Sequence, residues 1–182
     1  MPDPTSAFAT GNRRLLWAGL LLAASLLFTL GFACAVPFAA FGAIAAMTLP
    51  RRDALLVVIA LWLVNQIAGF TILHYPWDAM TLAWGPIFGA VAVASTLAAR
   101  AATRNGGLVQ AALAGFAAAF VVYEGALYIV SATVMGGTEI YTPAIIGRIL
   151  AINAAGFVAL LAASLLITAA GAHVRMSGEY SA

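Results

Sequence analysis

Lysine is missing altogether from these 182 residues, cysteine occurs once, and only 8% of the chain is charged. Each scarcity excludes something. A soluble domain carries about 25% charged residues, because its surface must be solvated. This chain has too little charge to cover a globule in water, so lipid is the expected solvent for most of it. The single Cys34 can form neither an intrachain disulfide nor a cysteine-based metal site, and in its apolar stretch it reads as a packing residue. Two histidines, His74 and His173, are too few for a His-rich metal permease or a haem pair. HExxH, CxxC, GxSxG and Walker-type runs are all absent, which removes the common hydrolase, redox and nucleotide-binding signatures. The chain is therefore not expected to be an enzyme, and no cofactor or metal is expected. A net charge of +2, with arginines scattered over short breaks, does not suggest nucleic acid as a partner.

What is present is apolar sequence, 64% of it hydrophobic, punctuated by arginine at every second break. Arg13/Arg14, Arg51/Arg52, Arg100/Arg104 and Arg175 alternate with breaks around Gly31–Pro37, His74–Asp78 and Gly136–Thr142 that contain none. Short loops bearing Lys or Arg stay on the cytoplasmic side during insertion. The alternation predicts an all-α, polytopic membrane helix bundle of about six transmembrane helices in a bacterial inner membrane, with both termini cytoplasmic. Arg13-Arg14, an apolar run and Ala33-Cys34-Ala35 also resemble a signal peptide with a cleavage site. The run Leu15–Phe32 is long for that, and a second apolar segment follows at once, so an uncleaved first span is the expectation.

Residues 1–12 read as a flexible cytoplasmic leader, 13–172 as one transmembrane domain and 173–182 as a cytoplasmic tail. The spans are expected near Leu15–Phe32, Val36–Leu49, Ala54–Leu73, Met80–Leu97, Leu108–Val134 and Pro143–Ala170. The second is short, about 21 Å at 1.5 Å per residue, against a hydrocarbon core of about 30 Å. Asp53 and Asp78 are placed to cap the helices that follow them. Gly85-Pro86 is expected to interrupt the fourth span, with protein or a wet cavity satisfying the released backbone groups. Small residues at four-residue spacing, Gly19/Ala23, Gly85/Gly89 and Gly147/Ala151, mark candidate helix contact faces.

Two full charges fall inside apolar runs, Glu124 and Arg148. Insertion of such a charge at mid-membrane costs about 2.5–3.5 kcal/mol, so each needs a reason to be there. Counted back from Gly136-Gly137, Glu124 is about a dozen residues away and Arg148 about eleven, which predicts similar depth and an ion pair between neighbouring spans. Asn65, Gln66 and Trp84 reach the same level. Trp62, Asn65, Gln66 and Gly69 form one stripe, and Glu124, Tyr128 and Ser131 another. Apolar walls with a few convergent polar groups are what a small-molecule site requires. The candidate substrate-binding residues are Asn65, Gln66, Trp84, Glu124, Tyr128 and Arg148. A plainer reading also stands: the ion pair stitches two spans, the amides are interhelical glue, and the aromatic rings are packing.

About six short spans, termini inside, polar groups gathered in the outer half and Gly19/Ala23 in the first span resemble the substrate-binding S components of energy-coupling-factor vitamin importers. The resemblance covers most of the chain and is architectural. It implies capture of a vitamin or precursor near the external face. It also implies dependence on a transmembrane coupling protein and cytoplasmic ATPases, a division of labour in keeping with the missing nucleotide motifs. Membrane lipid and a small-molecule substrate are the remaining expected partners. Two other classes stay open: a self-sufficient proton-coupled carrier using Glu124, and a structural or assembly subunit of a membrane complex.

Overall fold

A computed structural model describes residues 11–32, 36–104 and 107–179, with side chains of Phe32 and of 171–179 outside the description. The signal-peptide-like Ala33-Cys34-Ala35 and most of the leader lie outside the described residues. Six α-helices follow one another: α1 Gly11–Phe32, α2 Phe38–Thr48, α3 Arg51–Thr71, α4 Ala79–Ala102, α5 Leu108–Val130 and α6 Pro143–Glu179. Five of these are long and apolar enough to cross a membrane, which is compatible with an integral membrane protein. α1 begins at Gly11, inside the expected leader, and α6 runs through most of the expected tail.

The sixth helix, α2, is shorter still than the short second span expected over Val36–Leu49. It has 11 residues, all of them buried. At 1.5 Å per residue it reaches only about 16 Å, roughly half of a hydrocarbon core. Its sequence Phe-Ala-Ala-Phe-Gly-Ala-Ile-Ala-Ala-Met-Thr is apolar on every side, as a helix surrounded by protein should be. It packs against α3, α4, α5 and α6 and so forms the axis of the bundle. Alanines and Gly42 let the neighbours come close. A Cβ on Gly42 would lie 2.7 Å from Thr96 Oγ1 of α4, nearer than atoms pack.

The arginine-bearing helix ends lie together. Arg14 of α1 pairs with Asp53 in the first turn of α3 at 3.4 Å. Trp17 Nε1 donates to Thr48 Oγ1 at the foot of α2, 2.9 Å away. Arg100, near the end of α4, donates to the carbonyls of Ala46 and Leu49 at 3.2 and 3.0 Å. It thereby satisfies orphan acceptors of the α2 C-terminus with a charge suited to that end of the helix dipole. Asp53 thus does not cap α3 as expected; Pro50 occupies the cap position, and the carboxylate turns to Arg14 instead. Asp78 does cap α4, accepting from the Thr81 backbone N–H at 2.8 Å.

Pro86 does not interrupt α4, which continues through it. The proline still withdraws one N–H, but the neighbouring α3 shores up that turn: Trp62 Nε1 donates to the Gly85 carbonyl at 2.8 Å. Of the three small-residue pairs, Gly85 and Gly89 meet α3 side chains, Gln66 and Trp62, whereas Gly19 and Gly147 have nothing within 4 Å. After α5 the chain makes a π-helical turn, Ser131–Met135, then Gly136 and Gly137 at φ of 75° and 83°. Only glycine takes such angles without strain. A 3₁₀ turn, Thr138–Ile140, leads into α6.

Candidate functional site

Because α2 fills only part of the bundle axis, the half remote from the arginine-bearing helix ends around Arg14, Arg51 and Arg100 is left hollow. A cavity of about 1010 Å³ occupies it. Val36 and Phe38, at the head of α2, border it from below, and α3, α4, α5 and α6 supply its sides. Five of the six candidate residues line it: Asn65, Gln66, Trp84, Glu124 and Arg148. Tyr128 does not. Its ring is 48% exposed and packs edge-on against Tyr141 with centroids 5.2 Å apart. Residues 123, 124 and 127 of α5 and Ser131 of the π-turn border the cavity instead, and position 128 is rotated off that face.

The amides of α3 divide their work. Asn65, 8% exposed, donates through Nδ2 to Thr29 Oγ1 of α1 at 3.2 Å. Its Oδ1 accepts from Gln66 Nε2 at 3.4 Å. Asn65 therefore holds α1 to α3. Gln66 Oε1 accepts no hydrogen bond among the described residues, and it lies in space that a Cβ on Gly85 would crowd at 3.0 Å. Across the cavity, Trp84 stacks on Phe88 with centroids 5.4 Å apart. Trp62 takes no part in the lining, since its indole is committed to Gly85.

Glu124 and Arg148 form no ion pair, which corrects the pairing expected from residue counts; among the described residues the Arg14–Asp53 pair stands alone. The reason is depth. The connection from 136 to 142 consumes seven residues in turns rather than in helical rise. Arg148 consequently sits about 7.5 Å past the first residue of α6, close to the helix end, and its side chain is exposed. Glu124 lies about 10 Å below Ser131, before the π-turn is added, and is half-buried. Both reach the same cavity at different levels, with neither hydrogen-bonded to protein among the described residues.

Other lining residues escape a reading of the sequence. Asn153, 3% exposed, accepts from the Ala40 backbone N–H at 3.3 Å and donates to the Ile149 carbonyl at 3.0 Å. It ties α6 to the first turn of α2, and a lone amide in an apolar run was the available signal. Tyr123 stacks on Phe38, centroids 6.1 Å apart, and Tyr141 shares a 3.3 Å hydrogen bond with Ser131. Ile145, Ile146, Ile149 and Ile152 add an aliphatic wall whose role nothing in their spacing singles out. No group of three or more His, Cys, Asp or Glu side chains able to hold a metal occurs among the described residues. The arrangement suits reversible, non-covalent binding of an organic molecule: apolar walls, an aromatic face, one carboxylate, one guanidinium and one open amide. Comparison with known proteins adds no relative: no family model, no curated protein and no solved structure matches the chain.

Proposed function

We propose that this protein is the substrate-capturing membrane subunit of a small-molecule importer, of the kind represented by the S components of vitamin importers. The single observation that carries this reading is the hollow above α2, in the half of the bundle remote from the loop arginines Arg14, Arg51, Arg52, Arg100 and Arg104. With those arginines cytoplasmic, the hollow faces outward, and the buried half-helix closes it toward the inside. Arg148 meets a carboxylate or phosphate of the ligand and Glu124 a protonated amine or ring N–H. Gln66 sets orientation, and Trp84 stacks. Energy comes from a transmembrane coupling protein and cytoplasmic ATPases that act on the loaded subunit.

Two measurements test the proposal. The chain alone in liposomes should bind but not accumulate solute, and ATPase subunits should co-purify with it from native membranes. Arg148→Ala and Glu124→Gln should each insert normally and lose uptake; wild-type uptake in both variants would refute the assigned roles. The absence of an Arg148 partner beside Glu124 favours, as a second reading, a carrier that cycles a proton on that carboxylate. Accumulation driven by a pH gradient in liposomes containing only this chain would select it.

A further inference from the structure

Along α4 and α6 the cavity wall is layered, and its layers run in the order of a lipid leaflet. Taking 1.5 Å of rise per residue, Arg148 and Gln66 both lie about 7.5 Å from the cavity-side ends of their helices. Ile152 of α6 and Phe88 of α4 lie about 13.5 Å from theirs, one level deeper. Polar groups with unmet capacity are the Arg148 guanidinium and the Gln66 carbonyl oxygen at the upper level and, on the α5 side lower down, the Glu124 carboxylate and the Tyr123 hydroxyl. The deeper polar group, Asn153, has its amide oxygen and nitrogen both taken by backbone partners. Below the level of Arg148 the α4 and α6 walls therefore offer apolar surface and no unsatisfied amide.

Two further observations bear on size and access. About 1010 Å³ lies at the top of the roughly 300–1,000 Å³ range of small-molecule sites, far more than an amino-acid-sized zwitterion fills. Water in the remainder would wet aliphatic and aromatic walls, which is unfavourable. The helices beside the charged rim are also loosely joined. α6 packs on α2 yet barely touches α5, whereas α4 and α5 adhere along their length. Arg148 is exposed where α6 leaves that seam.

We infer that the ligand of this cavity is a single-chain amphiphile, with the anionic group of its head at Arg148, any cationic group of a zwitterionic head turned to Glu124, and an apolar body lying over Ile149 and Ile152 toward Phe38. This rests on the proposed capture function and narrows its substrate class. An apolar body replaces water on the deep walls, while the head stays at the level where Arg148 can meet both it and the membrane surface. Source and chemistry separate experimentally, since such a molecule can arrive from the leaflet or from water.

The test is binding stoichiometry and affinity of the full chain in nanodiscs, measured by native mass spectrometry and titration. Palmitate is supplied within the bilayer, octanoate is supplied from water, and acetate and glycine serve as heads without a body. One palmitate or octanoate per chain is expected, with binding weakened at least tenfold in Arg148→Gln and in the cavity-filling Ile149→Trp. Arg104→Gln, an exposed change at the far end of the bundle, should leave it unchanged. Saturable binding of palmitate alone assigns the leaflet as source, and of octanoate alone, water; either supports the inference. Equal binding by wild type, Arg148→Gln and Ile149→Trp would mean annular contact and overturn it. Saturable, Arg148-dependent binding of glycine with none of either amphiphile would overturn it too, while leaving the capture function standing. Failure of every probe to bind removes the amphiphile, and the uptake assay then judges the capture function independently.

Discussion

Gly42 offers the sharpest test of how α2 is held, and through it of what positions the cavity floor. An added Cβ would meet Thr96 Oγ1 at 2.7 Å, with the Thr96 Cα behind it at 3.6 Å. That hydroxyl is 1% exposed and donates to the Ala92 carbonyl at 2.8 Å. Gly42→Ala must therefore push α2 from α4 or swing the hydroxyl off its acceptor. Overpacking costs about 1–3 kcal/mol, and an abandoned hydrogen bond about 1 kcal/mol. Alanine returns about 0.8–1.0 kcal/mol in helix propensity. The net expectation is a loss of about 1 kcal/mol. Thr96→Ala removes the obstructing oxygen, so in that background only the propensity term remains and Gly42→Ala should stabilise by about 1 kcal/mol. The sign reverses, and the coupling energy is about 2 kcal/mol, within the range seen for residues in contact. Equilibrium unfolding of the four proteins in mixed micelles measures it. A Gly42→Ala effect of equal sign and size in both backgrounds would show that α2 and α4 do not meet at this point.

Other consequences follow from single contacts. Arg100→Met keeps the aliphatic stem but removes the donors from the Ala46 and Leu49 carbonyls at the end of α2; a loss of about 1.5–3 kcal/mol is expected in the same unfolding assay, with Arg100→Lys recovering part of it. His74 holds a φ of 55°, so His74→Gly should raise the unfolding midpoint, by about 1 kcal/mol of relieved strain. The Thr81 backbone N–H holds the Asp78 carboxyl below its ordinary value. A depressed carboxylate contributes fully above its unfolded value, about 3.9, and loses that contribution as pH falls through the folded one. Hydrogen exchange at the Thr81 amide should thus show no change in protection between pH 7 and pH 5 and a loss only below about pH 4; a transition near neutral pH would contradict this cap.

The sequence determined where this protein can exist and roughly how it is divided. Charge scarcity and long apolar runs follow from composition alone, and five of the predicted spans correspond to long helices because burial in lipid needs only length and hydropathy. It also supplied four of the cavity-lining polar residues, since Asn65, Gln66, Glu124 and Arg148 stand out against an apolar background and each must face something other than lipid. Depth and direction were decided elsewhere. Counting residues put Glu124 and Arg148 level, but the turns between 136 and 142 spend residues without helical rise, so the two charges separate. Tyr128 belongs to a sequence stripe yet turns to Tyr141, because a helix face is assigned only when its neighbours are known. Above all, only the tertiary structure revealed that α2 is a half-length axis surrounded by four helices. Its apolar sequence would suit lipid or protein equally, and the hollow above it exists because the surrounding helices are longer than the one they enclose.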